Sequence, residues 1–550
     1  MATKRKFSDA FEMNARIKSG KFSSNIEYMG GKIGTMNKEN YFREIAHETY
    51  TFFSLQKRVS PIWQDAHKVR WNSDYEINKH HQLGFEYYYQ FMDKNTKDIG
   101  SDMQKYADFS TNKNIYRNKD NLSNLHSLTF VYNYKKNKNS FQVIQDMAIS
   151  NSKSKHLIEE NENENNRQIL TKGNDRYLLS TSNIRYNTSL PWKIGFSAGL
   201  KYVMVSSDGL TESDNPYIMN GNYRITNEVI EHNPQAYVAF VRKIGKITIR
   251  PAVRYQYMYR NIKSILGTEI PEVVKQNYSS LFPSLSVTYA PNKNTSFYFR
   301  YNRIISQPNF SELNSGLVYL DSLSYNVGNS NLCASHSNHL IFGGTWKEFS
   351  FSAKYNYEKD PIVTIENPIS SESNIIVTNA VNLKSQQDFR VNIGYTNTFS
   401  KLNLHLEGEA VFPSGKYSYL NQYYNADKIS FNGNLNISYK ISPNFGIFTS
   451  FSYQRYKTRL LMSQKPANNW SIGLVGSFLK NRLSLNVLVS DILKGANYNN
   501  LVNRYGCVKS GTYGTNDLRG IMVNISYSIW CKDIKVKTKR ENSDIIQRIN

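Results

Sequence analysis

Connections that are short and connections that are long alternate without exception along this 550-residue chain. The short ones fall near residues 19–21, 78–80, 135–139, 187–192, 244–247, 291–294, 346–348, 398–401, 440–444 and 479–481. The long polar ones fall near 30–67, 93–124, 150–175, 206–232, 260–279, 306–337, 359–385, 413–429, 457–467 and 493–516. Between them the hydrophobic pattern repeats every two residues, the signature of a strand with one greasy and one wet face. Phe389, Val391, Ile393 and Tyr395 alternate with Arg390, Asn392 and Gly394. Leu402, Leu404 and Leu406 resume the pattern after Ser400-Lys401. Leu483, Leu485, Val487 and Val489, and then Val523, Ile525, Tyr527 and Ile529, close it. A soluble sandwich has no reason to keep every long connection on one side. An antiparallel barrel crossing an outer membrane does, with short periplasmic turns and long outer loops. The fold expected is therefore all-β, a large transmembrane barrel over 1–530, with 531–550 as a short basic periplasmic tail.

Composition fits a wall better than a compact core. Hydrophobic residues are only 39%, yet there are 40 Tyr and 28 Phe. A disordered chain would lack the aromatics. A wall needs apolar residues at alternate positions only, and Tyr suits both the lipid face and its wet rims. No run of about 18 apolar residues exists, so no transmembrane helix is expected. The formal net charge of +24 is read as Lys and Arg in solvated loops and a polar lumen, since no nucleic-acid-binding signature accompanies it. Cys333, Cys507 and Cys531 are too few, odd in number and too widely spaced for a disulfide framework or metal cluster. Met1–Lys6 is basic with no apolar segment after it, unlike a signal peptide.

Counting the periodic segments gives about 21 strands, with ends good to a few residues. The segment at 9–18 precedes a short turn and so runs downward. The last strand follows a long loop and also runs downward. A closed antiparallel barrel with both ends in the periplasm needs an even number, about 22. The expectation is that one upward strand is missing before residue 9.

Several stretches resemble the barrel of the TonB-dependent receptor superfamily, most closely the branch of outer membrane β-barrel family proteins frequent in Bacteroidetes. The resemblance is most specific at Leu281-Phe282-Pro283-Ser284-Leu285-Ser286, at Tyr298-Phe299-Arg300-Tyr301-Asn302-Arg303 and at Gln307-Pro308-Asn309-Phe310-Ser311-Glu312-Leu313-Asn314. Gly328-Asn329-Ser330-Asn331-Leu332 is similar to the family's Gly-Asn-Pro-x-Leu, but Cys333-Ala334-Ser335 replaces the Lys-Pro-Glu that follows it there. Trp470–Leu474, Val489–Leu493 and the ending Ser543–Ile546 are also similar. The resemblance implies energised uptake of a scarce solute, such as a siderophore, cofactor or oligosaccharide. It implies as partners outer-membrane lipid, a plug domain and a TonB-type energising protein, the last two for a complete receptor. Neither plug nor signal is recognised in this chain. The competing reading is a non-transporting structural or adhesion barrel, or a truncated receptor remnant.

No residue is assigned to catalysis, a cofactor or a metal. The Gly-x-Ser-x-Gly, His-Glu-x-x-His and phosphate-loop motifs are absent. His336 and His339, expected in an outer loop, are too few for a metal site. His80-His81 reads as turn chemistry. Glu159–Glu164 reads as a solvated acidic loop, and Asp214, Asp321 and Glu366 as scattered acids. Arg303, Arg390 and Arg482 read as lumen cations paired with acids. Tyr87–Tyr89 and Tyr423-Tyr424 read as girdle residues at strand ends.

Overall fold

The protein is described here by a computed structural model covering residues 8–162, 165–216, 223–414, 416–419, 422–425, 428–455, 462–497, 500–516, 518–529 and 543–549. A short strand, β1 (Asp9–Ser19), opens it. Ten long ones follow: β2 (Phe22–Ala46), β3 (Thr51–Asn78), β4 (His81–Lys105), β5 (Ser110–Lys136), β6 (Asn139–Glu162), β7 (Asn165–Leu190), β8 (Ile194–Ser213), β9 (Tyr223–Ile244), β10 (Ile247–Leu266) and β11 (Glu272–Asn292). Shorter strands continue: β12 (Thr295–Ser306), β13 (Leu317–Asp321), β14 (Ser324–Val327), β15 (Ser335–Trp346), β16 (Phe349–Lys359), β17 (Ile362–Pro368), β18 (Ile376–Asn382), β19 (Ser385–Phe399), β20 (Leu402–Ser414), β21 (Lys416–Tyr419) and β22 (Gln422–Asn425). The chain ends with β23 (Ser430–Ser442), β24 (Phe445–Arg455), β25 (Met462–Gln464), β26 (Ala467–Phe478), β27 (Leu483–Ser490), β28 (Leu501–Tyr505), β29 (Val508–Asn516) and β30 (Gly520–Tyr527). Two single-turn helices are α1 (Phe310–Leu313) and α2 (Ser543–Ile546).

Backbone pairing explains the architecture. In lipid every N–H and C=O must bond within the protein, and an antiparallel wall does this strand to strand. One large sheet holds 24 of the described strands. Three of them, β25, β28 and β29, belong to outer connections, which leaves the number of wall strands expected from the sequence. The turns are tight where the sequence placed them. Gly20 and Gly245 supply positive φ at two of the two-residue turns, a conformation that glycine adopts without cost. Alternation divides the faces: Leu128 and Phe130 are exposed while Thr129 and Val131 are buried. Aromatic contacts cross neighbouring strands on the lipid side, Trp71 to Phe85 and Phe85 to Phe130, each at 5.4 Å between ring centroids.

The long connections correct the sequence reading. Those at 30–67, 93–124, 150–175, 206–232 and 260–279 are in the main continuations of β2–β11, still paired residue by residue. Above the membrane both faces meet water, so the apolar alternation fades while the hydrogen-bond ladder persists. The connections at 306–337 and 359–385 differ. They hold β13–β14 and β17–β18, which join through a parallel β14–β18 pairing into a separate four-stranded sheet. Hydrogen bonds from β2, β5 and β6 hold that sheet against the wall's inner face.

The wall's two ends meet unequally. On the outer side Asn37–Ile45 of β2 pair with β29. On the periplasmic side β1 pairs with β2, and β30 pairs with β27. Among the described residues no strand pairs with the other edge of β1 or of β30. Ile521 and Ile525 are 73% and 71% exposed there. Both strands run downward, so an upward strand is the one that would be antiparallel to both. The last described residues lie inside the wall: Ile545 and Ile546 are buried in a cluster with Tyr177, Leu179, Val205 and Phe310. Within 531–550, expected as a short basic periplasmic tail, the described residues Ser543–Ile549 place these two isoleucines on an apolar patch of the wall's inner face.

Candidate solute vestibule inside the wall

Two polar clusters tie the inward-folded segments to the wall. The first centres on Asp321, at the end of β13. Its Oδ2 accepts from Arg117 Nη2 at 3.2 Å and Gln56 Nε2 at 3.0 Å, and its Oδ1 caps the Leu323 amide at 2.9 Å. Arg117 Nε donates to Leu320 O at 3.1 Å, and Arg43 Nη1 to Leu323 O at 3.3 Å. Burial alone would raise the Asp321 carboxyl, but Arg43 and Arg117 outweigh it and hold the group at about 2. Beside it, Glu160 Oε1 accepts from Tyr319 Oη at 3.1 Å and from the Ser322 amide at 2.8 Å. Burial, with the Glu160 charge next, pushes the Tyr319 phenol up and keeps it neutral and donating.

The second cluster centres on Glu231 of β9. Arg260 Nε reaches its Oε1 at 2.6 Å from the next strand. Arg548 closes on the same carboxylate with Nη1 to Oε2 at 2.8 Å and Nη2 to Oε1 at 2.9 Å. The remaining Arg260 donors go to Gln276 and Gln307 side chains and to Leu332 O. A buried carboxylate is tolerable only when its lone pairs are met in this way.

The sequence-selected residues fall in several places. Glu160 is a buried anchor, and Glu162 pairs with Lys113 at 3.0 Å, so this part of the acidic run is no solvated loop; Glu164 lies outside the described residues. Asp321 is an anchor and no scattered acid. Asp214 accepts from the Leu170 amide at 2.7 Å, and Glu366 from Tyr41 at 3.4 Å. His336 and His339 stand on β15, three residues apart and so on opposite faces, which separates them as ligands. His336 stacks on Phe282, and no group able to hold a metal occurs among the described residues. His80 and His81 occupy the turn expected, where Asn78 Oδ1 accepts from both backbone amides. Arg390 pairs with Asp388, Arg303 lies over Phe282 and Arg482 sits by a short turn, so the three form no common site. Tyr87 and Tyr89 flank His126, while Tyr88 is buried and donates to Gln90 at 2.7 Å. Cys333 and Cys507 are free thiols; Cys531 and the Tyr423-Tyr424 side chains lie outside the described residues. Arg43, Arg117, Glu231, Arg260 and Arg548 were not singled out from sequence. Strand register from the turn at Gly245-Lys246 is the signal that pairs Glu231 with Arg260.

No curated protein matches the chain. Solved structures do. The siderophore receptor PiuA from Acinetobacter baumannii is 10% identical with a TM-score of 0.55, over 91% of this chain and 85% of that one. A mutant of the ferric enterobactin receptor PfeA from Pseudomonas aeruginosa is 10% identical with a TM-score of 0.51, over 92% and 80%. The ferric yersiniabactin uptake receptor FyuA from Yersinia pestis is 11% identical with a TM-score of 0.50, over 88% and 80%. At these identities the likeness is one of fold. Residues 121–527 match the family described as "Outer membrane protein beta-barrel family", and the chain belongs to that family, a β-barrel of the outer membrane.

Proposed function

We propose that this barrel is the wall and outer vestibule of a receptor for energised uptake of a scarce solute, a siderophore first among the candidates. One observation carries the reading. The inserts at 306–337 and 359–385 fold inward as one sheet, fixed to the wall by the Asp321–Arg117 ion pair at 3.2 Å and the Glu160–Tyr319 hydrogen bond. A wall serving only as a structural element gains nothing from ordered, polar, inward-facing loops. A receptor uses them to shape a vestibule over the lumen. The siderophore receptors of the same fold support the choice of solute class. Outer-membrane lipid, a plug domain and a TonB-type energising protein are the partners this reading requires, and it assigns the chain no catalytic step.

The test is growth. The chain is directed to the outer membrane of an iron-limited host lacking its own siderophore receptors, with and without a plug domain supplied in trans. Growth on an added siderophore that disappears when the energising protein is deleted supports the proposal. A heat-modifiable barrel that inserts but gives no energy-dependent growth on any siderophore, cofactor or oligosaccharide tried overturns it in favour of a non-transporting barrel.

A further inference from the structure

One row of cross-strand neighbours runs around the inner face of the wall. Tyr88, Ser127, Ala148, Leu179, Val205, Glu231, Arg260 and Gln276 each oppose the next across a strand pair. Directly opposed residues share a face, so the row is a continuous strip. Its middle is apolar and its far end is charged. The segment Ser543–Ile549 repeats that order. Ile545 and Ile546 are buried in the cluster that includes Ala148, Leu179 and Val205. Two residues on, Arg548 reaches Glu231.

The seat of that arginine is complete. Both oxygens of Glu231 face its two terminal nitrogens at 2.8 and 2.9 Å, the fork-to-fork geometry in which guanidinium and carboxylate match best. Nε donates to Pro308 O at 3.1 Å. The guanidinium plane stands 4.4 Å over the Phe310 ring. The Phe310 amide donates back to Arg548 O at 3.3 Å, which fixes the backbone as well. Glu231 is 2% exposed and Arg548 14%. A lysine could fill neither the fork nor the ring face.

We propose that this strip is a peptide-binding site for a segment carrying two apolar residues followed, two positions on, by arginine. The chain's own carboxy-terminal segment occupies it in cis, and an arginine-bearing peptide of that pattern can occupy it in trans. The segment then competes with any solute for the same face of the vestibule. The inference stands on wall register and on the arginine seat, and it holds whether or not the barrel transports.

The experiment uses a fluorescent peptide of residues 543–550 and two barrels in detergent, the full chain and a chain ending at residue 542. The shortened barrel should bind the peptide at least about tenfold more tightly than the full chain, whose site is filled. Arg548→Ala or Arg548→Lys in the peptide should weaken binding at least about tenfold, as should Glu231→Gln in the barrel; each tenfold is about 1.4 kcal/mol. A folded, heat-modifiable shortened barrel that ignores the peptide, or binds the arginine and alanine forms equally, overturns the proposal. If the shortened chain does not fold, the full chain carrying Arg548→Ala takes its place. It must then bind the arginine peptide at least about tenfold more tightly than the unaltered chain does, and equal binding overturns the proposal.

Discussion

Connections between β2 and β11 rise outward as the wall continued, while the two that follow β12 and β16 turn inward and fold as a sheet of their own. The difference lies in where each segment finds partners. A hairpin such as β4–β5 pairs from Phe91–Asn124 up to Lys105–Ser110, so its backbone is satisfied locally whatever its side chains are. The inward sheet has four short strands and depends on the wall for the rest. It takes Arg117 from β5, Arg43 from β2 and Glu160 from β6. One region is held by backbone and the other by buried charge. Substitutions should separate them.

Asp321→Ala tests the separation most severely. It leaves Arg117 and Arg43 buried without their shared acid, a change that costs about 3–5 kcal/mol. The inner sheet should come free, read as rapid chymotrypsin cleavage within 306–337, which carries Phe310, Tyr319 and Tyr325, in a barrel that stays heat-modifiable. Equal cleavage appearing in the 93–124 hairpin would break the comparison. Acid probes the same contact more gently. The Asp321 carboxyl lies at about 2 in the folded protein against 3.8 ordinarily. A depressed carboxyl stabilises above its unfolded value and loses that stabilisation as pH falls through the folded one. The contribution is about 2 kcal/mol by linkage. Cleavage within 306–337 by an acid protease should therefore stay slow down to about pH 4 and rise between about 4 and 2. A rise already complete above pH 5 would remove Asp321 as the anchor.

Legibility in the sequence followed the same division. Where lipid lies outside and water inside, alternation is enforced, and Leu483, Leu485, Val487 and Val489 face Tyr527, Ile525, Val523 and Ile521 as that pattern implies. Tight turns were legible because the apolar alternation breaks there, as at Gly20-Lys21 and Ser400-Lys401. The outward hairpins were not. Asp93-Lys94-Asn95-Thr96-Lys97-Asp98 has no apolar member, yet it stays laddered to β5. Of the two polar clusters, Glu231–Arg260 was within reach, since both residues lie equally far from the turn at Gly245-Lys246. Arg117–Asp321 was out of reach, because 204 residues and an inward fold separate its members. Arg548 was hidden for the same reason, in a segment read only as an ending.

A milder test addresses the outward hairpins. Ser154 of β6 pairs with Asn121 on one side and Gly173 on the other. Were this a loop, Ser154→Pro would pass unnoticed. In a ladder it removes a donor, and with water available above the membrane the loss should be about 1 kcal/mol. A shift of that size in the urea midpoint, with chymotrypsin cleavage within 306–337 unchanged, sharpens the contrast; no shift returns 150–175 to the loops.

The smallest effect should leave stability untouched and appear only in exchange. On the outer side the sheet's ends are joined by β2–β29, whose register runs from Asn37↔Asn516 to Ile45↔Val508. On the periplasmic side β1 and β30 each present one edge with no pairing among the described residues. Amides on such an edge have no acceptor in the wall, and in a lipid environment they are the groups most in need of one. In detergent, deuterium should enter half of the amides of Asp9–Ser19 and Gly520–Tyr527 quickly, those directed away from β2 and β27. The amides of Asn37–Ile45 should remain protected on both edges. Slow exchange throughout β1 and β30 would mean that another strand already occupies the gap, and an antiparallel partner of both edges runs upward.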